Sequence, residues 1–221
     1  MQVTAIYHSA FLVELPHSVL LFDYYRGTLP PLPEKDIYVF VSHKHPDHYS
    51  PVIWELELRY PNVFYILYED VADKKQENIL YVSSHGQYSF GGLEIETLRS
   101  TDEGCAFAVR AEGRSLYHAG DLNWWHWEGE PDADNRWQEE TFKRELSRLR
   151  GRHFDCAFLP LDPRLEKTAW WGFLETLNTC AIDAVFPMHY FEQRTQMLAY
   201  LELPQLKPYR DHIITDAVKT L

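Results

Sequence analysis

Ser42-His43-Lys44-His45-Pro46-Asp47-His48 sets three imidazoles and one carboxylate within six consecutive positions, directly behind the apolar run Ile37-Tyr38-Val39-Phe40-Val41. His43 and His45 stand two apart, so in extended chain both rings project to the same side. Pro46 keeps His45 extended and ends sheet pairing there. The turn then swings Asp47 and His48 round, and Ser50-Pro51 reads as the N-cap and first residue of a helix. A buried strand ending in such a turn brings four ligand-type side chains into one small volume. Imidazoles with a carboxylate suit a divalent ion, zinc first, with manganese or iron as alternatives. The competing reading is a histidine-rich surface loop or a pH-sensing cluster. The position directly behind a buried-strand signal favours metal ligation.

Outward from this stretch, apolar runs at 3–7, 11–15 and 19–22, broken at Pro16-His17, predict strands. Residues 27–36 have loop composition. Downstream, the pattern predicts a helix over 51–59, a strand over 63–67, an exposed polar stretch at 74–78 and a strand meander from 79 to 117. Residues 124–135 read as a loop rich in Trp and acid. Residues 136–150 carry Phe142, Leu146 and Leu149 at helical spacing. Strands at 155–161 and 184–187 and helices at 169–180 and 194–201 complete the series. No repeat or linker interrupts it, so residues 1–221 read as a single domain.

A formal charge of −12 argues against broad contact with a phosphate backbone and so against a nucleic-acid partner. A bound dication can reverse the local sign, which leaves room for a small anionic substrate. Cys105, Cys156 and Cys180 form no CxxC pair, which points to a reducing, cytoplasmic setting. No long apolar run suggests a membrane partner. Oligomeric state is open, a homo-oligomer included.

The order His-x-His-x-Asp-His behind a strand resembles the signature of the metallo-β-lactamase superfamily. Leu116-Tyr117-His118-Ala119-Gly120-Asp121 resembles that superfamily's Gly-Asp motif, and Ala184-Val185-Phe186-Pro187-Met188-His189-Tyr190 its last ligand strand. The resemblance implies an α+β chain folded as an αββα four-layer sandwich with the site at one edge between the sheets. It also implies that His43 and His45 share one ion, that Asp47, His48 and His189 hold another, and that Asp121 lies between them, for one or two ions per chain.

More narrowly, Tyr7-His8-Ser9-Ala10-Phe11-Leu12-Val13-Glu14 and Leu21-Phe22-Asp23 resemble the branch that includes ascorbate-6-phosphate lactonase. His8 then either faces the site or caps a hairpin. Asp23 either fixes the tautomer of a metal-binding His or starts a turn. One departure stands out: the family carries a further His before its Gly-Asp motif, and Leu98-Arg99-Ser100-Thr101-Asp102-Glu103-Gly104 has none. Ser100, Thr101 or Asp102 could substitute, and of these Asp102 brings charge as well as a donor.

These residues predict a metal-dependent hydrolase in which activated water attacks an ester, lactone or phosphodiester bond of a small substrate. Asp121 or Asp47 would hold or steer the proton. The alternative is a non-catalytic metal-binding or ligand-sensing protein with an incomplete site. Asn123-Trp124-Trp125-His126-Trp127-Glu128 is expected to overhang the metals, with Trp124 either clamping substrate or packing a lid. Arg164 either anchors an anionic group or is solvated. His85 reads as surface, and His126, His153 and His212 lack companion motifs. No GxSxG elbow, P-loop or dinucleotide fingerprint is present.

Overall fold

The computed structural model describes residues 1–71 and 74–221. Short hairpins pair strands antiparallel and longer crossovers pair them parallel, and the chain uses both in each of two sheets. The first contains β1 (Gln2–Tyr7), β2 (Ala10–Glu14), β3 (Ser18–Phe22), β4 (Asp36–Val41), β5 (Val63–Tyr68) and β6 (Ile79–Val82). The C-terminal β13 (Val218–Thr220), which sequence pattern does not predict, pairs antiparallel with β1, giving the order β13-β1-β2-β3-β4-β5-β6. The second sheet runs β12-β11-β10-β9-β8-β7. Its strands are β7 (Gln87–Phe90), β8 (Leu93–Arg99), β9 (Cys105–Ala111), β10 (Arg114–His118), β11 (His153–Pro160) and β12 (Ala181–Met188). From β3 to β6, and from β10 to β12, neighbours are parallel.

Strands in the middle of the first sheet are apolar on both faces because both faces are covered. Leu20, Phe22, Tyr38 and Phe40 join the core between the sheets, where Phe11 packs on Phe158 at 4.4 Å and Phe40 on Phe107 at 5.3 Å between ring centres. Val19, Leu21, Ile37, Val39 and Val41 point the other way, onto Ile53 and Leu56 of the segment Pro51–Leu58. That segment is a 3-10 helix: its two buried residues are three apart, the spacing that stacks in a three-residue turn. Outside the second sheet lie α1 (Asp132–Leu146) and α2 (Trp171–Thr179), with α2 against β11 and β12 and α1 against α2. The result is an αββα four-layer sandwich. The first helix begins earlier than its apolar periodicity predicts, because Pro131 and the first-turn acids Asp132 and Asp134 favour a helix N-terminus. After α2 and β12 comes α3 (Arg194–Leu201). Among the described residues no helix is long and apolar enough to cross a membrane.

Parallel pairing brings the C-terminal ends of neighbouring strands to one edge. The ends of β3 and β4 in one sheet therefore meet those of β10, β11 and β12 in the other, and every loop discussed next leaves from this edge.

Candidate functional site

Asp23 follows β3, the stretch from Ser42 to His48 follows β4, Asp121 follows β10, Asp162 follows β11 and His189 follows β12. Strand pairing fixes where each segment stops, and the backbone then turns sharply. Asp23 and His189 take φ of +43° and +64°, a left-handed conformation that costs a non-glycine residue about 1–3 kcal/mol unless its surroundings hold it. Here they do. Asp23 is fully buried and accepts from the Ser42 backbone N–H at 2.8 Å and from the Ser42 hydroxyl at 2.8 Å. His189 donates from Nδ1 to Asp162 at 2.9 Å.

These bonds fix the tautomers. His48 Nδ1 lies 2.8 Å from Asp23 Oδ2, and a carboxylate can only accept, so the proton sits on Nδ1. The Ser42 hydroxyl donates to Asp23 and lies 3.0 Å from His43 Nδ1, so it accepts from that nitrogen. One buried carboxylate thus sets His48 directly and His43 through a hydroxyl, while Asp162 sets His189. In the neutral form all three rings then present an Nε2 lone pair, the position that a proton takes when no cation is there.

The three Nε2 atoms converge on one carboxylate. His48 and His189 lie 3.1 and 3.3 Å from Asp121 Oδ1, and His43 lies 3.4 Å from Oδ2. These distances suit hydrogen bonds but the geometry does not, and all three Nε2 atoms and Asp121 Oδ1 are buried without a partner. Each such atom costs about 1–3 kcal/mol. Lone pairs and a carboxylate facing one centre are the donor set of a divalent cation, so the residues fit a metal. The electrostatics agree. Burial would raise the Asp121 carboxyl, but the His48 and His189 imidazoles outweigh it and hold Asp121 well below the carboxylate range. Burial would lower His189, yet Asp121 and Asp162 carry it up to about 9. His43 is instead taken down to about 4, chiefly by burial. The centre attracts positive charge, as a proton or as a metal ion.

The remaining candidates ring this centre. His45, Asp102 and Asp121 each bring a donor atom within 4.8 Å of the others, as do His43, His48 and Asp121. Asp102 is pushed up by burial and by the Asp121 charge beside it, a repulsion a cation would relieve. Glu103, which sequence reading did not select, lies 3.4 Å from His45 Nε2. Asp47 sits partly exposed with Oδ2 3.6 Å from His8 Nε2, and His8 faces the site. A cavity of ≈ 280 Å³ opens over the centre, lined by His45, Asp47, Asp102, Asp121, His189, Gln138, Trp125, Trp127 and Arg164.

Trp124 is placed differently from the sequence expectation. It packs on Trp171 at 5.1 Å, beneath Lys143, and lines a separate surface pocket with Trp170 and Leu174. Its neighbours Trp125 and Trp127 reach the site instead, because Trp125 Nε1 donates to the Asp121 carbonyl at 2.9 Å and anchors the loop. Arg164 grips Asp162 through Nε at 2.9 Å and through Nη2. Sequence reading also missed the roles of Ser42, Asp162 and His118. The buried His118 donates from Nε2 to the Ser9 carbonyl and accepts the Gly120 N–H on Nδ1, which holds the turn that presents Asp121. His85 is half-exposed but pairs with the buried Glu145 at 2.7 Å and does not line the cavity over the centre. His126, His153 and His212 lie outside it as well: His126 packs on Trp171, and His153 and His212 reach Asp183.

Residues 2–128 match the family described as the beta-lactamase superfamily domain. A metal-dependent hydrolase of Opitutus terrae is 33% identical over 142 residues, a stretch that spans 55% of this chain and 63% of that protein's length. Among solved structures, one from Parabacteroides distasonis assigned as a metal-dependent hydrolase superposes with a TM-score of 0.70 at 17% identity, over 96% of this chain and 90% of that one. The diiron β-hydroxylase CmlA of Streptomyces venezuelae gives a TM-score of 0.65 at 14% identity, over 100% of this chain and 53% of its own. At such identities the likeness to the solved structures is one of fold.

Proposed function

The chain belongs to the beta-lactamase superfamily, and from that premise we propose that it is a metal-dependent hydrolase acting on an ester, lactone or phosphodiester bond of a small substrate. The observation that carries this reading is the convergence of three tautomer-fixed Nε2 lone pairs on the buried Asp121 carboxylate, beneath an open cavity. His43, His45 and Asp102 would hold one ion and Asp47, His48 and His189 a second, with Asp121 shared. A divalent ion there would supply a Lewis acid and a hydroxide source near neutral pH.

The protein's own groups supply the rest. Asp47 lines the cavity and is the most solvent-accessible of the carboxylates in the His-x-His-x-Asp-His and Gly-Asp motifs, so it is placed to hold a proton on the substrate side. Asp121 keeps its charge between the imidazoles that Asp23 and Asp162 orient. Arg164 spends two of its N–H groups on Asp162, which leaves three for an anionic substrate group at the cavity wall. Trp125 and Trp127 line the same cavity, where aromatic rings can pack on a substrate.

The imidazole-rich donor set supports zinc, with manganese or iron to be tried beside it. The opening Tyr7 to Glu14 with Asp23 supports kinship with the branch that includes ascorbate-6-phosphate lactonase, so a lactone heads the substrates. Three free, buried thiols support a reducing compartment such as the cytoplasm. Metal-free protein reloaded with zinc, manganese or iron is to be offered a lactone, a nitrophenyl ester and a bis-nitrophenyl phosphodiester. Turnover of at least one, lost in Asp121→Ala, is expected. Protein that holds metal and turns over none would favour the non-catalytic, metal-binding reading.

A further inference from the structure

We propose that His8 is itself a metal ligand, the third imidazole of the half-site formed by Asp47, His48 and His189. This rests on the metal-centre reading above and goes beyond its ligand set. His8 lies in the turn between β1 and β2, with φ of +55° and a side chain that is fully buried. Its ring sits 4.2 Å from that of His189, 4.1 Å from Phe191 and 5.7 Å from His48. One donor atom from each of His8, Asp47, His48 and His189 lies within 4.8 Å of every other.

A packing role does not account for this residue. Both ring nitrogens are buried without a hydrogen-bond partner, although a neutral imidazole always carries one N–H that needs an acceptor. The nearest acceptor, Asp47 Oδ2, is 3.6 Å from Nε2, beyond hydrogen-bond range. A phenyl or aliphatic group would fill the same space without stranding a nitrogen, and Asn or Gly would suit the backbone better. A cation among Asp47, His48 and His189 gives the nitrogen facing it a partner.

The two half-sites then differ in chemistry. One offers three imidazoles and the Asp47 carboxylate. The other, as divided above, consists of His43 and His45 with Asp102, and Glu103 stands 3.4 Å from His45 Nε2. Nitrogen-rich sets favour zinc or iron and oxygen-rich sets favour manganese or magnesium, so the His8 half-site binds zinc more tightly and the other exchanges first.

The test uses whole protein labelled with nitrogen-15 histidine, titrated with zinc and read by nuclear magnetic resonance. Five imidazoles with a zinc-bound nitrogen are expected, one of which disappears from the spectrum of His8→Asn. Four, with the His8 signal unmoved, would overturn the proposal while leaving the metal centre intact. Wild-type protein that takes up no zinc would overturn both. Asn tolerates the left-handed backbone, so His8→Asn should fold. In a chelator titration of that variant the tighter zinc should weaken by at least the roughly 10–100-fold that follows loss of a mere outer partner of a ligand. The weaker zinc should keep its affinity. Unchanged affinity for both ions would refute the assignment.

Discussion

Replacing Asp23 by Asn tests the tautomer relay with almost no change in volume. In the native site one carboxylate accepts three bonds of 2.8 Å, from the Ser42 N–H, the Ser42 hydroxyl and His48 Nδ1. The variant's amide oxygen can take the Ser42 N–H, but its NH₂ then stands where Oδ2 stood and donates. His48 Nδ1 must become an acceptor, which moves its proton to Nε2. The Ser42 hydroxyl, now accepting from the amide, turns its hydrogen towards His43 Nδ1 and drives the same switch there. Two of the three lone pairs aimed at Asp121 are replaced by N–H groups. Bonds to a charged group are worth about 1.5–3 kcal/mol against about 0.5–1.5 for neutral ones. The three exchanges therefore cost about 3 kcal/mol in total, inside the roughly 5–15 kcal/mol of an ordinary domain, and the variant should fold. Zinc affinity should fall about 10–100-fold or more. Asp23→Ala is a harsher change: three buried donors lose their acceptor at about 1–3 kcal/mol each, enough to compromise folding itself. Chelator competition for zinc, beside a thermal melt of the metal-free protein, reads both quantities. A folded Asp23→Asn protein with wild-type zinc affinity would refute the relay.

Gly104 holds φ of +78°, and an added Cβ would fall on the Ser42 carbonyl and within 2.5 Å of His43 Cβ. Gly104→Ala should cost about 2–4 kcal/mol, a Tm drop of roughly 5–15 °C; an unchanged Tm would show that the loop yields freely. Trp125 lies 5.4 Å from His189 between ring centres and bonds to Asp121, whereas Trp124 faces away. Metal addition should change tryptophan emission in wild type and in Trp124→Phe but much less in Trp125→Phe, and an equal response in all three would count against this placement. Asp155 accepts from the Ser115 N–H at 2.8 Å and from Arg114 at 2.6 Å, and these outweigh burial to lower its pKa. A lowered carboxylate stabilises above its unfolded pKa of about 4 and loses that contribution as pH falls through the folded value. Asp155→Asn should therefore cost about 1 kcal/mol at pH 7, discounted for solvent screening. The gap should close below about pH 4 in urea titrations, and one that persists at pH 2 would assign it to something other than charge.

The sequence made the strand ends readable because two-sided burial leaves continuous apolar runs, as in Val19 to Phe22 and Ile37 to Val41, and ligand-type residues stand directly behind them. Asp102 could be selected over Ser100 and Thr101 because it alone of the three carries charge, but nothing in the segment separated it from Glu103, which also reaches His45. His8 could not be resolved: a single His in a hairpin turn carries no periodicity, and its surroundings come from β12 and the turn after β4, far along the chain. Ser42 and Asp162 escaped for the same reason, since a hydroxyl or carboxylate that orients a ring is defined only by what the fold sets beside it. The loop after Asp121 named the right residue type and the wrong ring, because irregular backbone gives no rule for which of three Trp side chains turns inward.

His8, Asp23 and the residues from Ser42 to His48 belong to one sheet, while Asp102, Asp121, Asp162 and His189 belong to the other. The cluster is thus a seam that exists only once the two sheets have docked. An ion can meet its full ligand set only in the docked state. Contacts absent from the transition state act on the unfolding rate alone, so metal that lengthened the lifetime of the folded chain while leaving the speed of refolding as it is would place sheet docking after the folding barrier.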